Sequence, residues 1–511
     1  MLKNHPKGLL AASMANMGER FGFYTMMAIL SLFFQTKFGL DETKAGLIYS
    51  LFYGSTYLLA LAGGIIADKT RNYKGIILTG LVLMALGYMI IAIPTDTPVP
   101  VDKFVPLLSL SCFGLLVIAF GNGLFKGNLQ ALVGQMYDNP RYSKTRDSGF
   151  QLFYMFINVG AVIAPFLAVG MRNWWVERNG YMYKADLPSL AHQYLGNTIT
   201  PEGTARLESL ASEVGFTGTD LASFSSDYLN VFTTGFHFAF GVAIFAMLIS
   251  LAVYLFNKSR FPDPGAKGIG QSGNIVAEEM DVEEVHRRVY ALIAVFAVVI
   301  FFWFSFHQNG LTLTYFARDY TNLSHIRINL GFIVIQGAEL FQSINPFFVV
   351  LLTPIIVGFF GWLRSKGKEP STPRKIAIGM GIAALAYVVM AVGSNGLPLK
   401  TEVDAMGGLP DSARVTPWLL IGTYFILTVA ELFISPLGIS FVSKVAPPKL
   451  QGIMQGAWLG ATAIGNSLLF IGAIFYANIS MTGTWMLFVT ACVISMFTML
   501  GMLKWLEKIA K

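Results

Sequence analysis

The chain has 511 residues, of which 54% are hydrophobic and only 13% are Asp, Glu, Lys or Arg, about half the ~25% charged share of a soluble domain. A mean hydropathy of +0.58 with repeated apolar runs of about 20 residues excludes a soluble globule and implies a multi-pass protein of the lipid bilayer. The net charge of +7 therefore implies no nucleic-acid partner, and its distribution along the chain is the informative part.

Lys3 and Lys7 lead into an apolar segment, Leu9–Phe34, with no A-x-A-like site, so no cleaved signal peptide is expected. Inside it lies Asn16-Met17-Gly18-Glu19-Arg20-Phe21-Gly22-Phe23-Tyr24. At helical spacing Asn16, Glu19 and Arg20 share a face that Phe23, Tyr24 and Met27 continue. A charge at mid-bilayer costs at least ~2.5–3.5 kcal/mol, so such groups face a cavity or a partner. A solute or proton pathway is expected, with a structural ion pair between helices as the alternative.

Further apolar segments fall at Leu47–Ala67, Ile76–Ile93, Phe104–Val133, Phe150–Val169 and Phe232–Phe256. A second set falls at Val289–Phe316, Leu330–Trp362, Ile376–Val392, Pro417–Val442, Gly452–Tyr476 and Trp485–Leu503. The expected fold is an all-α membrane protein with about twelve transmembrane helices. Residues 1–256 would form one six-helix bundle, 257–288 a cytoplasmic linker and 289–511 a second bundle. The linker carries Glu278-Glu279-Met280-Asp281-Val282-Glu283-Glu284, read as a short amphipathic helix. The connection 172–230 is long and is read as an extracytoplasmic insertion, solvated in preference to the alternative of a lid or docking surface, and partly helical around Thr204–Glu213. Most Lys and Arg residues then lie on the side of the termini, which places both termini in the cytoplasm. Asp68-Lys69-Thr70-Arg71-Asn72-Tyr73-Lys74 and Arg364-Ser365-Lys366-Gly367-Lys368 echo each other after the second helix of each half, suggesting duplicated halves.

Cys112 and Cys492 both fall in apolar segments, and the histidines lack ligand spacing, so no disulfide, metal or organic cofactor is expected. No G-x-S-x-G, H-E-x-x-H or phosphate-cradling loop argues for an enzyme.

Six short stretches resemble the proton-dependent oligopeptide transporter (POT/PTR) family of the major facilitator superfamily. Glu19-Arg20-Phe21 with Phe23-Tyr24 is similar to its E-x-x-E-R-F-x-Y-Y signature. Gly63-Gly64-Ile65-Ile66-Ala67-Asp68 and Phe153-Tyr154-Met155-Phe156-Ile157-Asn158-Val159-Gly160 are similar to G-G-x-x-A-D and F-Y-x-x-I-N-x-G. Gln342-Ser343-Ile344-Asn345-Pro346, Glu431-Leu432-Phe433-Ile434-Ser435-Pro436-Leu437-Gly438 and Gly452-Ile453-Met454-Gln455-Gly456-Ala457-Trp458 complete the set in family order. The resemblance implies a major-facilitator-type fold in the inner membrane, working as a monomer by alternating access on di- and tripeptides, with protons as coupling ion. It implies that Arg20 and Lys126 bind the peptide carboxylate, and Glu431 with Asn345 the amino terminus. Tyr24, Tyr57, Tyr154, Asn158 and Ser435 would face the solute, with Phe23, Trp303 and Trp458 as pocket walls. Glu339 is expected at the outer end of its helix, in water.

Three positions depart from the family pattern. Asn16 replaces the first signature carboxylate and cannot titrate. Met27 stands where members often carry an arginine, and His307 where many carry an acid, so both halves of an outer-gate salt bridge are missing. Proton coupling is therefore expected to be altered, with Glu19, Glu431 and His307 as candidate carriers. A uniporter or exchanger of another small zwitterion or anion, and a transport-inactive sensor or scaffold, remain as alternatives.

Overall fold

The computed structural model describes residues 5–137, 139–142, 145–262, 281–324, 326–331, 334–447 and 450–509. The first half contributes α1 (Lys7–Phe38), α2 (Glu42–Thr70), α3 (Tyr73–Ala92), α4 (Val101–Met136), α5 (Arg146–Arg178) and α8 (Leu221–Asn257), with α6 (Leu187–Leu195) and α7 (Pro201–Glu213) between the last two. The second half contributes α9 (Val282–Phe306), α10 (Thr312–Asp319), α11 (Ile344–Ser365), α12 (Thr372–Gly393), α13 (Lys400–Ala405), α14 (Pro417–Val445), α15 (Gln451–Ser467), α16 (Phe470–Asn478) and α17 (Met481–Ile509). A small antiparallel hairpin pairs β1 (Ile328–Asn329) with β2 (Val334–Ile335).

Lipid offers no hydrogen-bond partner to the backbone, so apolar runs of this length become helices. Among the described residues eleven helical spans are long and apolar enough to cross a membrane. Helix α1, 32 residues long with Glu19 and Arg20 in its middle, packs among them as the twelfth. Caps set several boundaries: Asp41 accepts from the Lys44 amide at 2.8 Å, Asn72 from Gly75 at 2.9 Å and Thr200 from Gly203 at 3.0 Å. Gly39, at φ 62°, ends α1 in the left-handed conformation that glycine adopts without strain.

Within the first bundle small residues bring backbones together. A Cβ on Gly63 would lie 2.2 Å from the Gly123 carbonyl oxygen, and one on Gly80 would lie 2.7 Å from that of Gly121. The Asn128 amide fixes the same seam by donating to the Gly63 carbonyl at 3.1 Å.

Three expected spans of the second half are not single helices. The seventh breaks at a 3-10 turn, His307–Gly310, before α10. The eighth begins as the hairpin and a 3-10 segment, Ala338–Ser343, before α11. The eleventh breaks between α15 and α16. Side chains satisfy the freed carbonyls: Tyr424 donates to Asn309 at 2.6 Å and Gln308 to Leu469 at 3.1 Å. Irregular backbone at membrane depth is tolerated where protein, not lipid, surrounds it.

The connection 172–230 is not a solvated insertion. Helix α5 continues to Arg178 and α8 begins at Leu221, which shortens it at both ends. Helices α6 and α7 bury Leu187, Leu190, Leu207 and Leu210 and form a packed cap. Thr200 Oγ1 of the cap donates to the Ala405 carbonyl of the second half at 2.5 Å. Of the expected acidic helix 278–284, residues 278–280 lie outside the described residues, while Val282, Glu283 and Glu284 form the first turn of the long helix α9, where Glu284 accepts from Arg288 at 2.8 Å.

At the α11–α12 turn Glu369 accepts from Arg364 and from Lys375, both at 2.6 Å. These two hydrogen bonds pull its carboxyl down to about 2 from an ordinary 4.5. A depressed carboxyl stabilises the fold fully above its unfolded value and loses that contribution as pH falls toward 2. The melting temperature of Glu369→Gln should therefore lie below that of the parent near neutrality. The two curves should begin to converge below about pH 4.5 and meet only toward pH 2, and parallel curves would discount the clasp.

Candidate functional site

Two cavities lie between the halves. The first, about 330 Å³, sits at the face that carries the cap and is lined by charges already held in ion pairs, including Glu42, Arg172, Asp186, Arg318 and Lys400. The second, about 250 Å³, lies centrally and is lined by Arg20, Lys126 and Glu431, of which Lys126 and Glu431 form no ion pair with any described residue. Unpaired charge in an apolar span implies a ligand, which makes the central cavity the candidate site.

From the first half Arg20, Phe23, Tyr24 and Met27 of α1, Tyr57 of α2, Lys126 of α4, and Tyr154 and Asn158 of α5 line it. From the second come Trp303 and His307, Asn345 of α11, and Glu431 and Ser435 of α14. Tyr154 and Asn158, one turn apart, share this face, and the Asn158 amide donates to the Tyr154 carbonyl at 3.1 Å.

Arg20 and Lys126 are not equivalent. Arg20 holds Glu19 through two hydrogen bonds, Nε to Oε2 at 2.5 Å and Nη2 to Oε1 at 2.6 Å. Asn122 of α4 donates to the same Oε1 at 2.7 Å. Lys126 Nζ instead sits 3.8 Å from the centre of the Tyr57 ring, and no described carboxylate forms an ion pair with it. Arg20 and Glu19 cancel, so the first half presents one net positive charge, at Lys126.

The second half presents one negative charge. Glu431 Oε2 accepts from Asn345 Nδ2 at 2.9 Å, and the same amide reaches Thr428 Oγ1 at 3.0 Å. No described cation forms an ion pair with Glu431. Neutral partners orient this carboxylate without satisfying its charge.

Two expected site residues lie elsewhere. Glu19 is fully buried behind Arg20 and turned toward α4. Successive residues of a helix point about 100° apart, so Arg20 keeps the cavity face that Phe23, Tyr24 and Met27 continue while Glu19 leaves it. Asn16 is buried too and is absent from the lining. Trp458 packs on Phe296 with ring centres 6.2 Å apart and fills the space left by Gly438, where a Cβ would lie 2.0 Å from the indole. It supports the wall without forming it.

His307 faces the cavity, but its Nδ1 is 2.5 Å from Asn466 Oδ1 and its ring stacks on Trp303, 4.9 Å away at 17°. Tyr49 and Tyr53 also line the cavity. With Tyr57 they stand at i, i+4 and i+8 on α2, a stripe readable in the sequence. Buried charge also lies outside this cavity. Lys37 donates to His237 Nε2 at 3.0 Å deep in the first half. Arg172 pairs with Glu339, which is fully buried rather than wet.

Closure at the cap-bearing face does not use Met27 or His307. Arg318 bonds Glu42 at 2.7 Å, Lys400 reaches Glu42 at 3.4 Å, Arg414 bonds Asp186 at 2.7 Å, and Arg172 pairs with Glu339. Among the described residues, every ion pair between the two halves lies at this face. Burial disfavours the Lys400 ammonium, but Glu42, Asp319 and Asp404 outweigh it and hold it above its ordinary value. Burial pushes the Asp186 carboxyl up against the opposing pull of Arg414.

Two six-helix halves around a central cavity, with broken helices beside it and one face closed, define a membrane transporter of the major-facilitator type. The POT family model matches residues 74–269 and 264–486, and the chain belongs to the POT family. It is 29% identical over 480 residues to peptide transporter YePEPT of Yersinia enterocolitica subsp. palearctica serotype O:3 (strain YE-P4), covering 90% of this chain and 86% of that one. It is 28% identical over 469 residues to dipeptide and tripeptide permease A of Proteus mirabilis (strain HI4320), covering 87% and 81%. The fold matches a crystal structure of peptide transporter POT in complex with sulfate, with TM-score 0.72, 22% identity and coverage of 100% and 96%. A POT family transporter in complex with 5-aminolevulinic acid matches with TM-score 0.71 and 23% identity over 100% and 98%. The family and its structural neighbours are transporters, not enzymes.

Proposed function

We propose that the chain carries di- and tripeptides across the cytoplasmic membrane by alternating access. The observation that supports this most directly is the pair of uncompensated charges, Lys126 and Glu431, lining one cavity from opposite halves. A zwitterionic peptide supplies what each lacks. Its carboxylate meets Lys126 and the outer donors of Arg20, whose remaining valence is already turned to Glu19. Its ammonium meets Glu431, which Asn345 holds in place. A peptide touching both halves favours the closed cavity over the open one, and that differential attraction drives the change of state. The named relatives, a peptide transporter and a dipeptide and tripeptide permease, agree with this substrate class.

The cap-bearing face is read as extracytoplasmic and the termini as cytoplasmic, in keeping with the distribution of Lys and Arg. Each chain holds a whole cavity, so the monomer is the working unit. Protons are the coupling ion, and in the central cavity Glu431 is their carrier in place of His307 or Glu19. His307 is engaged by Asn466 and Glu19 by Arg20, whereas Glu431 has neutral partners alone among the described residues.

Proteoliposomes loaded with unlabelled dialanine should exchange it for external labelled dialanine, and an inward proton gradient should drive accumulation above equilibrium. Free alanine and nitrate should compete weakly. Accumulation unchanged by the gradient would remove proton coupling. Exchange of free amino acids or anions but not peptides would transfer the reading to another small solute, and binding without exchange would leave a sensor.

A further inference from the structure

The cavity of about 330 Å³ at the cap-bearing face is larger than the central one, and the peptide reading gives it no ligand. The junction of α1 with α2, the cap helix α6, and α10 with α13 of the second half enclose it. Its charges do not cancel. Arg172 is paired with Glu339, Asp41 with Lys44, and Asp186 and Asp411 with Arg414 and Arg206. The remaining network joins three carboxylates, Glu42, Asp319 and Asp404, to two cations, Arg318 and Lys400. One negative charge is left over. It is most open at Asp404, whose side chain is 38% exposed and has Lys400 as its cation.

Two polar atoms of the wall also lack partners. His192 Nε2 lies 2.6 Å from the Thr36 carbonyl. A carbonyl oxygen only accepts, so Nε2 carries the hydrogen and Nδ1 of the neutral ring presents a lone pair. Burial lowers the pKa of this ring, which keeps it neutral at pH 7. Nδ1 has no donor among the described residues, and Gly39 leaves it room, since a Cβ there would lie 3.1 Å away. Thr36 itself is 5% exposed and lines the cavity, and its hydroxyl makes no hydrogen bond among the described residues. Leu32, Leu190, Phe232, Phe236 and Val403 give the cavity a buried apolar side.

We infer that this cavity is a second binding site, for a small organic monocation: an ammonium on a compact apolar body. The surplus carboxylate offsets the charge, and the ammonium N–H groups are the donors that His192 Nδ1 and the Thr36 hydroxyl lack. The apolar side takes the carbon body. An anion finds no such place, because Arg318 and Lys400 are already shared among carboxylates, and a peptide carries a carboxylate of its own. The wall comes from both halves, so a cation seated here favours the closed face over the open one. On the transport reading above, it slows the cycle from the cap-bearing side.

Calorimetric titration of the full-length protein in nanodiscs with phenethylamine tests the site, with phenylacetate and 2-phenylethanol as anionic and neutral controls. Phenethylamine should bind at least tenfold more tightly than either control. Saturating dialanine should weaken it by no more than about threefold. Displacement by dialanine would place the amine at Glu431 and overturn the inference, as would equal binding of the alcohol. Asp404→Asn removes the surplus charge and should weaken phenethylamine by roughly tenfold or more. Ser189→Trp, at an exposed position of α6 that lines the cavity, should fill it and abolish phenethylamine binding while dialanine affinity stays parental. Either variant carries the test if the other does not fold, and parental phenethylamine affinity in a folded variant would overturn the site. In proteoliposomes phenethylamine should slow dialanine exchange severalfold in the parent and leave Ser189→Trp unaffected. Unslowed exchange at saturating amine would refute the effect on the cycle. Phenethylamine binding that Ser189→Trp abolishes, in a parent that exchanges no dialanine, would uphold the site and refute the peptide reading.

Discussion

Lys126→Ala is expected to weaken dipeptide binding by roughly 10- to 100-fold without lowering the melting temperature. A charge-assisted hydrogen bond contributes about 1.5–3 kcal/mol, and about 1.4 kcal/mol is tenfold in affinity. The unusual half of this expectation is the unchanged stability. Lys126 forms no ion pair with any described carboxylate and rests on the Tyr57 ring, so its removal strands no described group. Glu431→Ala should weaken binding by a similar factor, because it would act on the opposite end of the same ligand. The double variant should show roughly the sum of the two losses, as for sites that share no protein partner. Calorimetric titration with dialanine decides the matter. Affinity within about twofold of the parent in both single variants would place the site elsewhere.

Arg20→Met should behave in the opposite way and damage the fold before the function. Removing one partner of a buried ion pair costs about 3–5 kcal/mol, since the other charge is left uncompensated. Here that charge is Glu19, fully buried in mid-helix with Asn122 as its remaining donor. The variant should therefore melt well below the parent in detergent. The double variant E19Q/R20M should recover most of the loss, because the glutamine keeps a hydrogen-bonding contact to Asn122 without a charge. A parental melting temperature for Arg20→Met would mean that Glu19 is hydrated or protonated in the folded protein.

The sequence was readable where the information is local. Span lengths, the Tyr154–Asn158 spacing and the mid-helix Arg20 follow from apolar runs and helical period alone. What escaped depends on partners far along the chain. Glu339 in Gly-Ala-Glu-Leu reads as a wet helix end, and its partner Arg172 is 167 residues away. Trp458 matches a motif, but whether it faces the cavity is decided by the missing side chain of Gly438 on another helix. The breaks after Phe306 and Ser467 are made tolerable by Gln308 and Tyr424, which no run of hydropathy reveals. The tyrosine stripe on α2 was visible in principle. The resemblance drew attention to Tyr57 alone, and the two tyrosines before it were passed over.

Helices α6 and α7 belong to the first half by chain order, yet Asp186 and Thr200 fasten them to Arg414 and Ala405 of the second. That seam is a handle on the cycle. An antibody fragment spanning α7 and α13 would clamp both halves from one compartment and stop turnover. The central cavity would stay free to load from the other compartment, giving an arrested form that still weighs its ligand.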